Sequence, residues 1–136
     1  MITAVDTNIL LDVFGADPKF GERSANALRQ AMHEGALTAC ELVWAEAGVV
    51  FGSKESFLKT MDDLGIMFSH ITQETALAAR QAWGKYRSAE GRRERVAADF
   101  LIGAHAKIQC DRLLTRDKGF YKTYFKGIRM LDPSSA

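Results

Sequence analysis

Four acidic residues interrupt β-prone or apolar stretches of this 136-residue chain: Asp6, Glu46, Asp99 and Asp117. Asp6 ends the run Ile2-Thr3-Ala4-Val5, and Asp117 closes Leu114-Thr115-Arg116-Asp117. In an open parallel sheet the ligand crevice lies beyond the carboxyl ends of the strands, so acids just after strands are the residues expected to do chemistry. Taken singly, each also reads as a helix cap or turn former. Glu46 sits among Trp44, Ala45, Ala47 and Gly48, where burying a carboxylate costs several kcal/mol unless a cation compensates it. Asp99 falls in the first turns of an apolar helix, whose amino-terminal dipole favours an anion. Four convergent carboxylates repel strongly enough that some must protonate or a divalent cation must bind. Hard oxygen ligands select Mg²⁺ or Mn²⁺, and such a site suits in-line hydrolysis of a phosphodiester.

The remaining acids sort differently. Glu41 is five residues from Glu46, a helical rotation of about 140°, so the two are not expected to share a cluster. Asp111 precedes a strand and belongs at the opposite edge of the sheet, while Asp62 and Asp63 read as the solvent face of an amphipathic helix. No GxSxG, GxGxxG or HExxH motif occurs, and His33, His70 and His105 read as surface or core-edge residues. An aspartyl phosphatase is disfavoured because Asn8 stands where a second carboxylate would serve as acid and base. Just ahead of Asp99, Lys85, Arg87, Arg92, Arg93 and Arg95 outnumber Glu90 and Glu94. A basic loop beside an acidic metal site is suited to holding the flanking phosphates of a nucleic acid. The alternative is a catalytically weak nucleic-acid- or protein-binding module on the same fold.

These residues need a scaffold, and the chain is long enough for one domain spanning residues 1–136. With 47% hydrophobic and 26% charged residues it has a globular composition, and a net charge of +1 selects no partner by itself. Cys40 and Cys110 show neither metal-ligand spacing nor a disulfide framework, so reduced core thiols are expected. No apolar run reaches the ~18 residues of a membrane span, no signal peptide is visible, and the cytoplasm is the default location. Strands are predicted at residues 2–5, 37–40, 66–68, 112–115 and 128–131. Helical periodicity fills the intervals: residues 20–34, 42–51, a helix capped by Ser53, a longer one capped by Thr72, one over residues 97–108, and a short piece around Tyr121. Their inward faces are expected to carry Ala25, Leu28 and Met32, then Leu42, Ala45 and Val49, then Phe57, Leu58, Met61 and Leu64. Alternating strands and helices imply α/β architecture, a parallel sheet covered on both faces.

Val5-Asp6-Thr7-Asn8-Ile9-Leu10, Trp44-Ala45-Glu46, Ala98-Asp99-Phe100-Leu101-Ile102-Gly103-Ala104-His105-Ala106 and Leu114-Thr115-Arg116-Asp117 resemble, in order, the acidic motifs of PIN-domain ribonucleases, especially VapC-type toxins. The resemblance covers essentially the whole chain. It implies a PIN-like three-layer α/β/α fold with a five-stranded parallel sheet, a Mg²⁺- or Mn²⁺-dependent endoribonuclease, a homodimer, and inhibition by a VapB-type antitoxin. Carried over by position, Asp6, Glu46, Asp99 and Asp117 become metal ligands or water-orienting carboxylates. Asn8 and Thr115 become supporting hydrogen-bonding residues. An RNA-binding role for Arg87, Arg92, Arg93 and Arg95 is separate from that pattern and rests on the basic segment alone.

Overall fold

The computed structural model describes residues 1–89 and 95–135. Strands β1 (Ile2–Val5), β2 (Ala36–Cys40), β3 (Ile66–Ser69), β4 (Arg112–Leu114) and β5 (Met130–Leu131) form one sheet in the order β3-β2-β1-β4-β5. Every pairing is parallel, with Ala4 opposite Thr38 on one side of β1 and Leu113 on the other. Helices α1 (Thr7–Phe14), α2 (Gly21–Glu34), α3 (Glu41–Gly48), α4 (Lys54–Asp63), α5 (Gln73–Ser88), α6 (Ala97–Gln109) and α7 (Lys118–Tyr124) complete a three-layer α/β/α fold.

The local reasons are legible in the residues. Ser53 caps α4 by accepting from the Ser56 N–H, and Thr72 caps α5 by accepting from the Thr75 N–H. Gly65, at φ +71°, turns the chain from α4 into β3. Helix α6 is buried over Phe100 and Ile102 to Ala106 because it lies between the sheet and α5. Gly103 allows that packing, since a Cβ there would fall 2.4 Å from the Phe125 ring. His105 is buried in the same helix with Nε2 2.9 Å from Ser69 Oγ, so it is a satisfied core residue. Cys40 and Cys110 are free thiols, the first buried and the second half-buried.

Several inward faces differ from the sequence expectation. Helix α2 buries Ser24, Ala27, Leu28 and Ala31, leaving Met32 exposed. Helix α3 buries Val43 and Ala47; Ala45 and Val49 are exposed. Leu58 is also exposed, while Met61 on the same helix is fully buried. In α2 and α3 the covered stripe lies one position from the expected one, whereas α4 keeps the expected Met61 and leaves only Leu58 out; tertiary contacts decide which positions are covered. Strand β5 is limited to two residues, after Gly127 at φ +81° has turned the chain out of the segment that follows α7.

Candidate active site

The strand order places the topological switch between β1 and β4, where one chain connection leaves toward β2 and the other toward β5. A crevice opens beyond the carboxyl ends of such a strand pair. Asp6 follows β1 and caps α1, accepting from the Thr7 N–H at 2.8 Å; its own N–H donates to the Leu114 carbonyl at 3.0 Å. Asp117 follows β4 and precedes α7. Thr115, fully buried, joins the two: its hydroxyl donates to Asp6 Oδ2 at 2.7 Å and accepts from the Asp117 N–H at 2.9 Å.

Asp6 is 5% exposed, and burial pushes its carboxyl up to about 6 against the lowering effect of hydrogen bonds from Thr115, Tyr121 and the Thr7 N–H. The charge of Asp99 raises it further. Asp99 opens α6, with Oδ2 accepting from the Val96 N–H at 3.3 Å, so it serves the helix terminus as well as facing the cluster. Tyr121 is the hub of these groups: its buried hydroxyl bonds to Asp6, and burial together with Asp6, Asp99 and Asp117 drives its phenol far above the ordinary value. Glu46 is exposed rather than enclosed by apolar neighbours. It reaches the cluster from the side, accepting from the Thr7 hydroxyl at 2.7 Å.

Asn8 lies beside the same carboxylate, with Nδ2 3.4 Å from Asp6 Oδ2 and Oδ1 accepting from the Arg116 N–H at 3.4 Å. Arg95 pairs with Asp117, lies 4.3 Å over the Phe120 ring, and donates its backbone N–H to the Tyr86 hydroxyl. Arg87 lies 5.7 Å over the Trp83 ring. Arg92 and Arg93 lie outside the described residues. Glu41 instead accepts from the Ile71 N–H, Asp111 from the Ile2 N–H at the opposite edge of the sheet, and Asp63 from Lys59 on the surface.

Sequence reasoning did not identify Thr7, Tyr121 or the pairing of buried Asp12 with the half-buried Arg116. Arg116 donates to Asp12 Oδ2 from Nε at 2.7 Å and to Oδ1 from Nη2 at 3.0 Å, while Ser24 Oγ donates to Asp12 at 2.8 Å. The guanidinium also sits 4.0 Å over Phe20, tying the β4–α7 connection to α1 and α2. For Tyr121 a signal existed: a tyrosine on the buried face of a short aromatic helix needs a partner for its hydroxyl.

The acids are therefore gathered at one end of the sheet, although among the described residues no three His, Cys, Asp or Glu side chains stand in ligating geometry. Their chemistry fits a hard divalent cation. All four are carboxylates, and among the described residues neither Asp6 nor Asp99 has a basic side chain at ion-pair distance. Asp6 answers its burial by a raised affinity for a proton, the response expected of a carboxylate that lacks a counter-charge.

The family model of the PIN domain matches residues 3–126. The chain belongs to the PIN-domain family. Among solved structures, this PIN domain is similar to VapBC2 from Rickettsia felis bound to a promoter DNA fragment, with TM-score 0.73, 19% identity and coverage of 97% of this chain and 98% of that one. It is similar to a toxin–antitoxin complex from Klebsiella pneumoniae, with TM-score 0.65, 21% identity and coverage of 96% and 97%. It is also similar to VapC20 of Mycobacterium tuberculosis, a sarcin–ricin-loop-cleaving toxin, with TM-score 0.60, 16% identity and coverage of 93% and 98%. A comparison with curated protein sequences gives no match. No helix of the PIN domain is long and apolar enough to cross a membrane among the described residues.

Proposed function

We propose that this PIN domain is a VapC-type toxin, an endoribonuclease dependent on Mg²⁺ or Mn²⁺ that works in the cytoplasm and blocks translation or growth. The observation that carries the reading is the Thr115 bridge, which ties the Asp6 carboxylate to the Asp117 backbone at the switch point with Asp99 in electrostatic reach of Asp6. Asp6, Asp99, Asp117 and Glu46 would hold the cation, with Asn8 and Thr115 orienting the Asp6 carboxylate. A bound Mg²⁺ or Mn²⁺ supplies a more acidic attacking water and neutralises charge on the phosphodiester oxygens. Tyr121 and Thr115 keep Asp6 in one orientation through hydrogen bonds to it. Glu46, exposed and braced by Thr7, would orient water at the rim. Arg87 and Arg95, with Arg92 and Arg93 of the same segment, would hold RNA phosphates.

The partners in this reading are an RNA substrate, a VapB-type antitoxin and a second copy of the chain. The edge strand β3 supports the last, since it exposes Met67 and Phe68 beside an unpaired strand edge. A second reading, a catalytically weak binding module, draws on the Arg95–Asp117 ion pair, which already neutralises one of the four acids.

Purified protein incubated with structured RNAs and a matched single-stranded DNA, in Mg²⁺, Mn²⁺ or EDTA, separates the two. The ribonuclease reading expects RNA fragments that appear only with metal, and intact DNA. RNA bound but uncut in both metals, with the cation itself bound, would favour the module.

A further inference from the structure

The charge of the chain is unevenly divided. Residues 1–72 carry five Lys and Arg against ten Asp and Glu, whereas residues 73–136 carry thirteen against seven. The basic part supplies α5, α6, β4, α7 and β5, so it flanks Asp117 and continues down α7 away from it. There, α5, α6 and the end of α7 border an open cavity of about 490 Å³. Three lysines line it, one from each neighbourhood: Lys85 on α5, Lys107 on α6 and Lys126 just beyond α7. Ala82 and Ala104 contribute apolar surface, and no acidic side chain lines it among the described residues. The Lys107 ammonium donates to the Lys126 carbonyl, which holds it at the cavity. None of the three lysines forms an ion pair with a described carboxylate. Like charges gathered around one concavity repel one another, and a polyanion laid across them relieves that repulsion.

We infer that this cavity is a second nucleic-acid subsite, holding backbone phosphates of the RNA strand whose scissile bond lies at Asp6 and Asp117. The inference rests on the ribonuclease reading above. The seven residues of α7 separate Asp117 from the cavity. At 1.5 Å per residue that helix is about 10 Å long. A stacked strand rising 3.4 Å per nucleotide covers this in about three nucleotides. The three ammonium groups carry no base-reading geometry, so the subsite adds affinity and register without sequence preference.

The test is equilibrium binding of a labelled oligouridine of about 20 nucleotides to the full chain in EDTA, over a range of KCl concentrations. Binding is thereby read independently of cleavage, which the metal-dependent assay reports separately. Three phosphate contacts on a single strand predict that K85Q/K107Q/K126Q lowers the slope of log K against log salt by about 2. K85Q/K126Q, which keeps the Lys107 bond to the backbone of residue 126, should lower it by about 1.4. Both variants should retain the unfolding midpoint of the parent. Unchanged slopes would overturn the inference even if the protein cuts RNA. Loss of binding to a polyglutamate peptide with RNA binding intact would also overturn it, assigning the cavity to an acidic protein segment.

Discussion

Thr115 and Asp6 stand 109 residues apart in sequence and 2.7 Å apart in space, hydroxyl to carboxylate, across the central strand pair of the sheet. Because the same hydroxyl accepts from the Asp117 N–H, one buried side chain sets the position of two acids. Thr115→Val keeps the shape and removes both bonds, leaving a buried N–H and a carboxylate oxygen short of partners. A cost of about 1–3 kcal/mol in urea unfolding is expected. RNA cleavage should fall further than the folded fraction does; a fall that merely follows the folded fraction would make Thr115 a structural residue only.

Stability should depend on pH through Asp6. Its carboxyl, ordinarily at 3.8, is pushed up to about 6 by burial, so the folded chain binds more protons than the unfolded chain between those values. The contribution is full below about pH 4 and is lost as pH rises through 6. The whole difference amounts to about 3 kcal/mol. Asp6→Asn has no such proton to lose. In EDTA its unfolding free energy should gain on the parent's by up to about 3 kcal/mol between pH 4 and 7. Mn²⁺ should shrink that gain by stabilising the parent; parallel pH profiles would contradict the assignment.

Arg95 pairs with Asp117 and is braced by the Phe120 ring. A cation binding at Asp117 must compete with the guanidinium. Arg95→Ala is therefore expected to tighten Mn²⁺ binding in calorimetry by about tenfold, the equivalent of about 1.4 kcal/mol. Weakened RNA binding should accompany it. Looser Mn²⁺ binding would instead show that Arg95 shapes the acidic site rather than competing for it.

Arg116 neutralises Asp12, which is 5% exposed on α1. Removing the half-buried Arg116 leaves the buried Asp12 carboxylate with Ser24 as its remaining side-chain partner, so Arg116→Ala should destabilise the protein by about 1–3 kcal/mol. The joint change Arg116→Met with Asp12→Leu should recover much of that loss, because it leaves no buried charge. Thermal unfolding of the single and double variants decides this, with additive losses as the contrary result.

Much of the frame was legible because the strands are short and end in polar residues: Val5 gives way to Asp6, and Leu114 to Thr115 and Asp117. The caps Ser53 and Thr72 were legible for a local reason, as each acts on a residue three positions ahead. Glu46 was harder to read. Its neighbours are apolar, but α3 is covered along Val43 and Ala47, which turns Glu46 to solvent and toward Thr7. The Thr7–Glu46, Thr115–Asp6 and Arg116–Asp12 bonds join residues 39 to 109 positions apart, and no local pattern encodes such pairings. Met32 and Leu58 illustrate the same limit in the core: periodicity names candidate stripes, and the neighbouring layer chooses among them.

The central claim is that carboxylates from separate elements act as one metal-dependent nuclease centre. The most direct measurement is the single-turnover rate of RNA cleavage in Mg²⁺ or Mn²⁺ for Asp6→Asn and Asp99→Asn, each verified as folded by circular dichroism. The account predicts that either substitution abolishes cleavage, with a rate loss of at least about 10³-fold, or about 4 kcal/mol of transition-state stabilisation. Parent-like cleavage by both folded variants would contradict it.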